Sequence, residues 1–515
     1  MKRKAGGCKT DMGPKHIYKK IVIIVLVMIF CGNLDAKMVF ASNEISRNQL
    51  FVTRVILRGG TEALDSIAQK AVENVLLNKF TSLEELQQAA EMISSIYREN
   101  GYFLAKAYLP AQQSNDGSIT FIVLEGCYGQ IKFHNESWLS EEKIRTLTER
   151  LKPGMVIRRD ELERQLLLLA DVPGLQVQSV LQPGEKVGTA DLIISLREGQ
   201  RMSVSTQVDN YGDLSTGAWR SGLNIAMNHP FGGDESLEVG GIRFGGMRTA
   251  TNHFRYSEGI GKNGVRATLS YDEKKYRLDG EYSVLDIHGA SNIWDLTLQY
   301  PIRRTQKNNL YAGFGVSRRK IQEWFLGMQD DKWSESMHGA IYGDGHDDVG
   351  NAFDYSLVYQ NGILMNDSEE HNRFEKWNFA ANRRQMLSPL TYVTFSLNGQ
   401  WAPRPLDSSE KISIGGPLGI RAYAQGSGVG DDAWQLTTEL HYKMSRTMEA
   451  ILFADAGSVM NNLEKWRNMY GSGLGVEWGM EKWRARMDYS WKMGHFDQDA
   501  DFAAGHWWLR IAHLF

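Results

Sequence analysis

The chain has 515 residues, 42% of them apolar, which leaves room for two or three folded domains and excludes a disordered chain. Its 58 Lys/Arg against 61 Asp/Glu give a formal charge of −3, so no basic excess points to nucleic acid. The three cysteines, Cys8, Cys31 and Cys127, are too few for a disulfide-built scaffold.

Lys2, Arg3, Lys4, Lys9, Lys15, Lys19 and Lys20 precede a bare apolar run from Ile21 to Phe30, with small-residue cleavage positions at Ala36 and Ala41. Residues 1–41 therefore read as an export signal, with cleavage after Ala41 preferred over Ala36. The run is too short to cross a hydrocarbon layer of about 30 Å as a helix. Met28-Ile29-Phe30 are too bulky to precede a lipid-modified Cys31. Removing residues 1–41 takes away eight Lys/Arg and two Asp/Glu, leaving 50 basic against 59 acidic side chains and a charge of −9. Only Cys127 survives cleavage, so the mature chain forms no intramolecular disulfide although export implies an oxidising compartment. No later stretch holds eighteen consecutive apolar residues, which leaves a soluble exported protein or a β-barrel.

After a short segment, 42–49, one pattern occurs twice between residues 50 and 198. The first pass predicts a strand (Leu50 to Leu57), a helix (Glu62 to Leu77), a helix (Leu83 to Asn100) and strands at Tyr102 to Leu109 and Ser118 to Leu124. Thr81 and Glu84 have the spacing of a capping box for the second helix, and Gly101 stops it. The second pass predicts a strand (Tyr128 to Phe133), helices at Glu141 to Leu151 and Asp160 to Ala170, and strands near Leu175 to Val180 and Leu192 to Leu196. Asp160 and Glu163 repeat the capping spacing. Each unit of about 75 residues can close one small core.

From about residue 202 the helical period vanishes and segments of about ten residues alternate apolar with polar side chains, the signature of a barrel wall. Trp483, Ala485, Met487, Tyr489 and Trp491 face one way, and Arg484, Arg486, Asp488 and Ser490 the other. Trp434, Leu436, Thr438, Leu440, Tyr442 and Met444 likewise oppose Gln435, Thr437, Glu439, His441 and Lys443. Val265 to Tyr271 and Val393 to Trp401 repeat the pattern. Aromatic residues at strand ends, Trp401, Trp434, Trp483 and Trp491, suit an interfacial girdle, and charges such as Arg484, Arg486 and Glu477 suit a wet lumen better than a dry sandwich core. A walk along the chain finds seventeen candidate strands, twelve before residue 402 and five after 431. An even number is the rule for such barrels, so one candidate between residues 277 and 300 is taken as false or merged, leaving sixteen.

Two β-α-α-β-β units ahead of a barrel resemble the polypeptide-transport-associated (POTRA) modules of the BamA-like superfamily. Gly101-Tyr102, Ala107-Tyr108-Leu109-Pro110, Asp116-Gly117 and Glu125-Gly126 resemble the first such module of two-partner secretion transporters of the ShlB, FhaC and HecB kind, the haemolysin-activator type. Asp209-Asn210, Thr216-Gly217 and Asn228-His229-Pro230 resemble that family's first barrel strands. Ile414 to Tyr423, with Gly419, Ile420, Arg421, Ala422 and Tyr423 at its centre, resembles the sixth extracellular loop, which folds back into the lumen. Ala422, Ala424 and Ser427 depart from the family's commoner glycine, proline and glutamate. The partner motif is Phe453, Asp455 and Gly457 on the next strand but one, where alternation puts Phe453 and Asp455 toward the lumen and Leu452, Ala454 and Ala456 toward lipid. The chain ends in alternation, and Trp507, Leu509, Ile511 and Phe515 resemble the signal read by the barrel assembly machinery.

The resemblance implies α+β periplasmic modules followed by an all-β domain: POTRA domains at 50–126 and 127–198, then a 16-stranded antiparallel transmembrane β-barrel at 199–515. It also implies an outer-membrane location among lipids, with the modules in the periplasm. A secreted partner protein is expected to be bound unfolded and passed through the barrel, with strand addition at a module edge as the mode of binding. No catalytic residue, cofactor, metal or nucleic acid is expected. Gly-x-Ser-x-Gly, His-Glu-x-x-His and Walker patterns are absent, and His346-Asp347-Asp348 offers too few converging ligands for a cation. The competing readings are an insertase of the same superfamily, a barrel enzyme and a passive porin. Only about seven residues separate Ala41 from the first module, so no long plug helix is expected and the latched loop is taken as the main obstruction.

Overall fold

A computed structural model describes residues 50–114, 116–213, 215–245, 249–278, 284–366, 371–461, 464–493 and 505–515. The export signal, the segment 42–49 and the question of a plug helix lie outside the described residues.

In the first module, Arg54–Arg58 runs parallel to Ser118–Leu124, which pairs antiparallel with Lys106–Tyr108. Helices α1 (Glu62–Leu76) and α2 (Leu83–Glu99) cover this sheet. Leu86, Ala89, Ala90, Ile93 and Tyr97 recur at helical spacing and close the core with Val55, Val72, Phe121 and Val123. Tyr97 is fully buried yet donates to Asp65 at 2.7 Å, and burial holds its hydroxyl above the ordinary phenol range.

Local boundaries differ from expectation for identifiable reasons. The predicted strand from Leu50 to Leu57 is two pieces, because Val52 turns inward and Leu50–Phe51 pairs separately with Phe80–Thr81. That pairing occupies Thr81, so the capping box falls one residue later: Ser82 Oγ accepts from Glu85 N–H, and the Glu85 carboxylate accepts from Ser82 N–H. Only Lys106–Tyr108 of the predicted Tyr102 to Leu109 is strand, since Gly101 at φ +93° and the Ala105 to Tyr102 bond make a turn first.

The second module places Thr189–Glu198 between Cys127–Glu136, parallel to it, and the antiparallel Leu175–Pro183. Helices α3 (Glu141–Leu147) and α4 (Arg159–Ala170) pack Ile144, Leu166 and Leu169 onto Leu192, Ile194 and Leu196. Asp160 is not a cap: the fork of Arg158 engages its carboxylate at 2.9 and 3.1 Å, and α4 starts without a side-chain cap. The predicted helix to Leu151 stops at Leu147. Arg159 N–H to Gly101 O and Ile157 N–H to Gly126 O join the two modules through the backbone.

Among the described residues, sixteen antiparallel strands from Met202–Asp209 to His506–Leu514 close into a barrel. Eleven lie before residue 402 and five after 431, and a single strand, His288–Arg304, follows Val265–Arg277 in the region of the surplus candidate. Closure pairs the last strand with the first, Arg510 opposite Asp209 through Leu514 opposite Ser205. Asn210 stitches this seam, donating to Trp507 O at 2.8 Å and accepting from Leu509 N–H at 2.7 Å. Trp294, Leu296, Leu298, Tyr300 and Ile302 are exposed on alternate positions of one strand, the apolar outer band that a lipid-facing barrel wall presents.

The second module sits on one rim of the barrel, at the end of its short turns. The Trp138 indole stacks on His229 at 3.5 Å and donates to Gly233 O at 2.7 Å. Lys143 pairs with Asp234 at 2.8 Å, and Asp171 takes both arms of Arg304 at 2.7 and 2.9 Å. At this end too, Asp347 accepts from the backbone of Val349, Gly350 and Asn351, and Asp348 pairs with Lys307, so both carboxylates serve a turn.

Candidate functional site

The segment between Trp401 and Asp432 leaves the wall and turns into the barrel instead of away from it. Its tip is a tight turn in which Ile420 N–H donates to Ile414 O at 2.8 Å and Gly419 N–H to Gly416 O at 3.0 Å. A Cβ at Gly419 would strike Ile414 O, so the turn closes only with glycine there. Ile414, Ile420, Ala422 and Tyr423 are buried with Val459 and Met469 of the wall, which gives the tip a small apolar core of its own. Gly457 lets this core approach: a Cβ there would lie 2.7 Å from both Ile420 Cδ1 and Trp434 O.

That packing aims Arg421 at the wall. Its Nε and Nη2 donate to the two oxygens of Asp455 at 2.9 and 2.7 Å, and its backbone N–H adds a third bond to that carboxylate at 3.1 Å. Nη1 donates to Glu439 at 2.6 Å and lies 3.5 Å from Asp488. The guanidinium carbon stands 3.4 Å from the centroid of Phe453, a cation–π contact. The Arg421 carbonyl accepts from Ser490 Oγ and Trp508 Nε1, both at 2.7 Å. With Arg421 only 3% exposed and Asp455 2%, solvent cannot replace these partners, so each charge depends on the others.

The network extends along the wall. Arg486 bridges Glu439 at 2.6 Å and Asp488 at 2.9 Å, and His441 lies 3.0 Å from Glu439 and 3.4 Å from Glu449. Tyr392 donates to Glu449 at 2.6 Å and stacks on His441. Three carboxylates thus meet two guanidinium groups around the tip. Beside it, Pro417, Leu418, Thr437, Glu477, Arg484 and Arg510 border a polar cavity of 550 Å³.

Alternation correctly assigns Phe453, Asp455, Glu439, His441, Arg486 and Asp488 to the lumen, and Leu452 and Ala454 are exposed on the lipid side. Spacing alone does not reveal that Glu439 and Asp488 share Arg421, because they stand on strands three apart in the sheet, which only the curved wall and the inward loop bring to one side chain. Trp508 was hidden in the C-terminal alternation: Trp507, Ile511 and Phe515 are exposed and Leu509 half-buried, whereas Trp508 turns inward to the loop. Among the described residues, the modules contribute none to the Arg421 cluster.

The profile of a family described as haemolysin secretion/activation protein ShlB/FhaC/HecB matches residues 188–478, more than half of the chain. The chain belongs to the ShlB/FhaC/HecB family. A ShlB-type POTRA profile matches residues 50–126, so the first module is a POTRA domain of that type. The chain is similar to the heme/hemopexin transporter protein HuxB of Haemophilus influenzae (strain 86-028NP), 26% identical over 401 residues, covering 73% of this chain and 69% of that one. It is also similar to the hemolysin transporter protein ShlB of Serratia marcescens, 21% identical over 451 residues, covering 82% and 79%. Among solved structures, CdiB from Escherichia coli superposes with a TM-score of 0.77 at 17% identity, covering 92% of this chain and 93% of that one, which supports the fold. The ShlB/FhaC/HecB family is made of transporters, and a further relative, CdiB of Escherichia coli O6:K15:H31 (strain 536 / UPEC), is named an outer membrane transporter. The barrel accordingly lies in the outer membrane with the POTRA modules on its periplasmic side.

Proposed function

We propose that this transporter receives one secreted partner protein, unfolded, at its POTRA modules and passes it through the barrel to the cell surface or medium. The observation that carries the reading is the placement of parts. The second module meets the periplasmic rim and carries the first by backbone bonds, and among the described residues one loop is fastened inside the bore from the other end. A passive porin has no use for the modules, whereas a secretion channel needs a docking platform and a movable obstruction.

Residues 1–41 are the removed export signal, 42–49 a short linker, 50–126 and 127–198 the POTRA domains and 199–515 the barrel. Arg421 with Gly419, Ile420, Ala422 and Tyr423 forms the latch, and Phe453, Asp455 and Gly457 its seat. Trp507, Leu509, Ile511 and Phe515 form the signal through which the barrel assembly machinery inserts the chain among outer-membrane lipids. Exposed module strand edges accept an extended client by backbone hydrogen bonding, which tolerates sequence. The chemistry is transport without a catalytic group, metal or cofactor.

The test is deletion of the protein from its host, followed by mass spectrometry of medium and cell surface. Loss of one large exported protein, restored by wild type and not by Arg421→Ala, is expected. An unchanged secretome with several depleted barrel proteins would overturn the reading in favour of an insertase.

A further inference from the structure

The loop is held at a second place, remote from Arg421 around the barrel. Before reaching its tip it makes a single 3₁₀ turn, Ser408–Glu410, against a different sector of wall, on strands that precede the loop in the chain where those at Arg421 follow it. Glu410 is 2% exposed and is held by two cations from two strands: Arg319 of Asn308–Phe325 at 2.8 Å and Lys376 of His371–Ser388 at 2.8 Å. The same cations grip the backbone. Arg319 Nη1 donates to Ser409 O at 2.8 Å, and Lys376 Nζ to Glu410 O at 2.9 Å. Next to them, Lys332 of Met328–His346 reaches Asp407 at 3.4 Å.

These contacts differ in kind from those at the tip. At Arg421 the loop brings a cation to a wall of carboxylates. At Glu410 it brings carboxylates to a wall of cations. Arg319, Lys332 and Lys376 project from neighbouring lumen-facing positions, and Asp407 and Glu410 neutralise a patch that would otherwise repel itself. Lys332 also has Glu323 and Asp330 within 3.8 Å, but Arg319 and Lys376 take their carboxylate from the loop.

We infer that Asp407–Glu410 is a second, autoinhibitory fastening of the loop, and that Arg319, Lys332 and Lys376 form a wall seat for an acidic, extended polypeptide segment. At rest the loop fills this seat with its own carboxylates and carbonyls, and so straps the bore between two sectors of wall. The inference rests on the reading of the loop as the obstruction. Emptying the seat releases one end of the strap while Arg421 keeps the other, so the loop swings and is not lost. A client segment bearing carboxylates competes for the same three cations.

The experiment is single-channel conductance of the purified full-length protein in a planar bilayer with no client present. Glu410→Gln keeps the shape but leaves Arg319 and Lys376 without a counter-charge, and the open-state population is expected to rise about tenfold or more over wild type. Because a buried substitution can impair folding, the barrel's heat-modifiable gel mobility is checked. The double variant Arg319→Gln/Lys376→Gln, which leaves the loop sequence intact, is expected to give the same rise. Addition of an acidic extended peptide to wild type is expected to raise the open population, and a neutral peptide of equal length is not. Folded variants with wild-type conductance, or peptides that act alike, would overturn the inference. Neither result depends on secretion, so failure here leaves the deletion experiment to judge the transporter reading separately.

Discussion

The POTRA modules and the barrel lumen bury side chains by opposite means. In the modules the buried groups are Val55, Ile93, Phe121, Ile144, Leu166 and Ile194, packed side chain on side chain. In the lumen they are Arg421, Asp455, Glu439, His441, Asp488 and Glu410, excluded from water by a loop that folds over them. An apolar core forms because water rejects it and has no reason to reopen. A buried ion network owes its place to its partners, and little of its stability remains when one partner is withdrawn. The modules are therefore built as permanent platforms and the lumen contacts as fastenings that can be exchanged.

The largest effect expected from this contrast is in a module core. Phe121→Ala should cost about 3–5 kcal/mol and unfold the first module, seen as protease sensitivity, while the barrel's heat-modifiable mobility stays unchanged. If the barrel is lost as well, the two regions are not independent. Arg421→Ala should cost about 3–5 kcal/mol of tip docking, read as new protease cleavage within residues 414–428. Adding Asp455→Ala to it should cost much less than the sum of the single changes, because one interaction is removed twice. Additive effects would show that the pair is not coupled.

Smaller effects sharpen the comparison. Ser82→Ala removes one reciprocal cap and should cost about 1 kcal/mol of module stability in urea, with no change in secretion at moderate temperature. Trp138→Ala should loosen the rim contact, read as faster amide exchange in the turn at 229–235. The same contact gives a pH test. Burial against Trp138 lowers the His229 pKa below its ordinary value of about 6.5. The undocked form then binds the proton more readily, so docking is full above pH about 6.5 and weakens as pH falls through the lowered value. The fall should be slight and should vanish in His229→Gln. A rise in docking at acid pH would reverse the assignment.

Much of this was legible in the residues. The period-2 alternation of Trp483 to Trp491 and Trp434 to Met444 marked a wall with a lipid face and a wet face, and the helical spacing of Leu86, Ala89, Ala90, Ile93 and Tyr97 marked a covered sheet. Arg421 and Asp455 are legible only through a family motif, since their separation along the chain carries no sign of contact. The misplaced cap at Thr81 and the split strand at Val52 have one cause: a two-residue pairing between Leu50–Phe51 and Phe80–Thr81, too short to leave a periodic trace.

The sequence by itself determined the two repeated modules and the polarity of each wall position, because these depend on local periodicity; the export signal is an expectation from a basic and apolar segment, and the even strand number follows from the rule for such barrels. Tertiary structure decided the company each lumen charge keeps. Glu439, Asp455 and Asp488 meet at Arg421, and Arg319 and Lys376 meet at Glu410, only after the sheet has curved and the loop has folded into it. Alternation states which face a side chain takes. Partners across a bore depend on strand number, tilt and the path of one loop, and no local pattern encodes these.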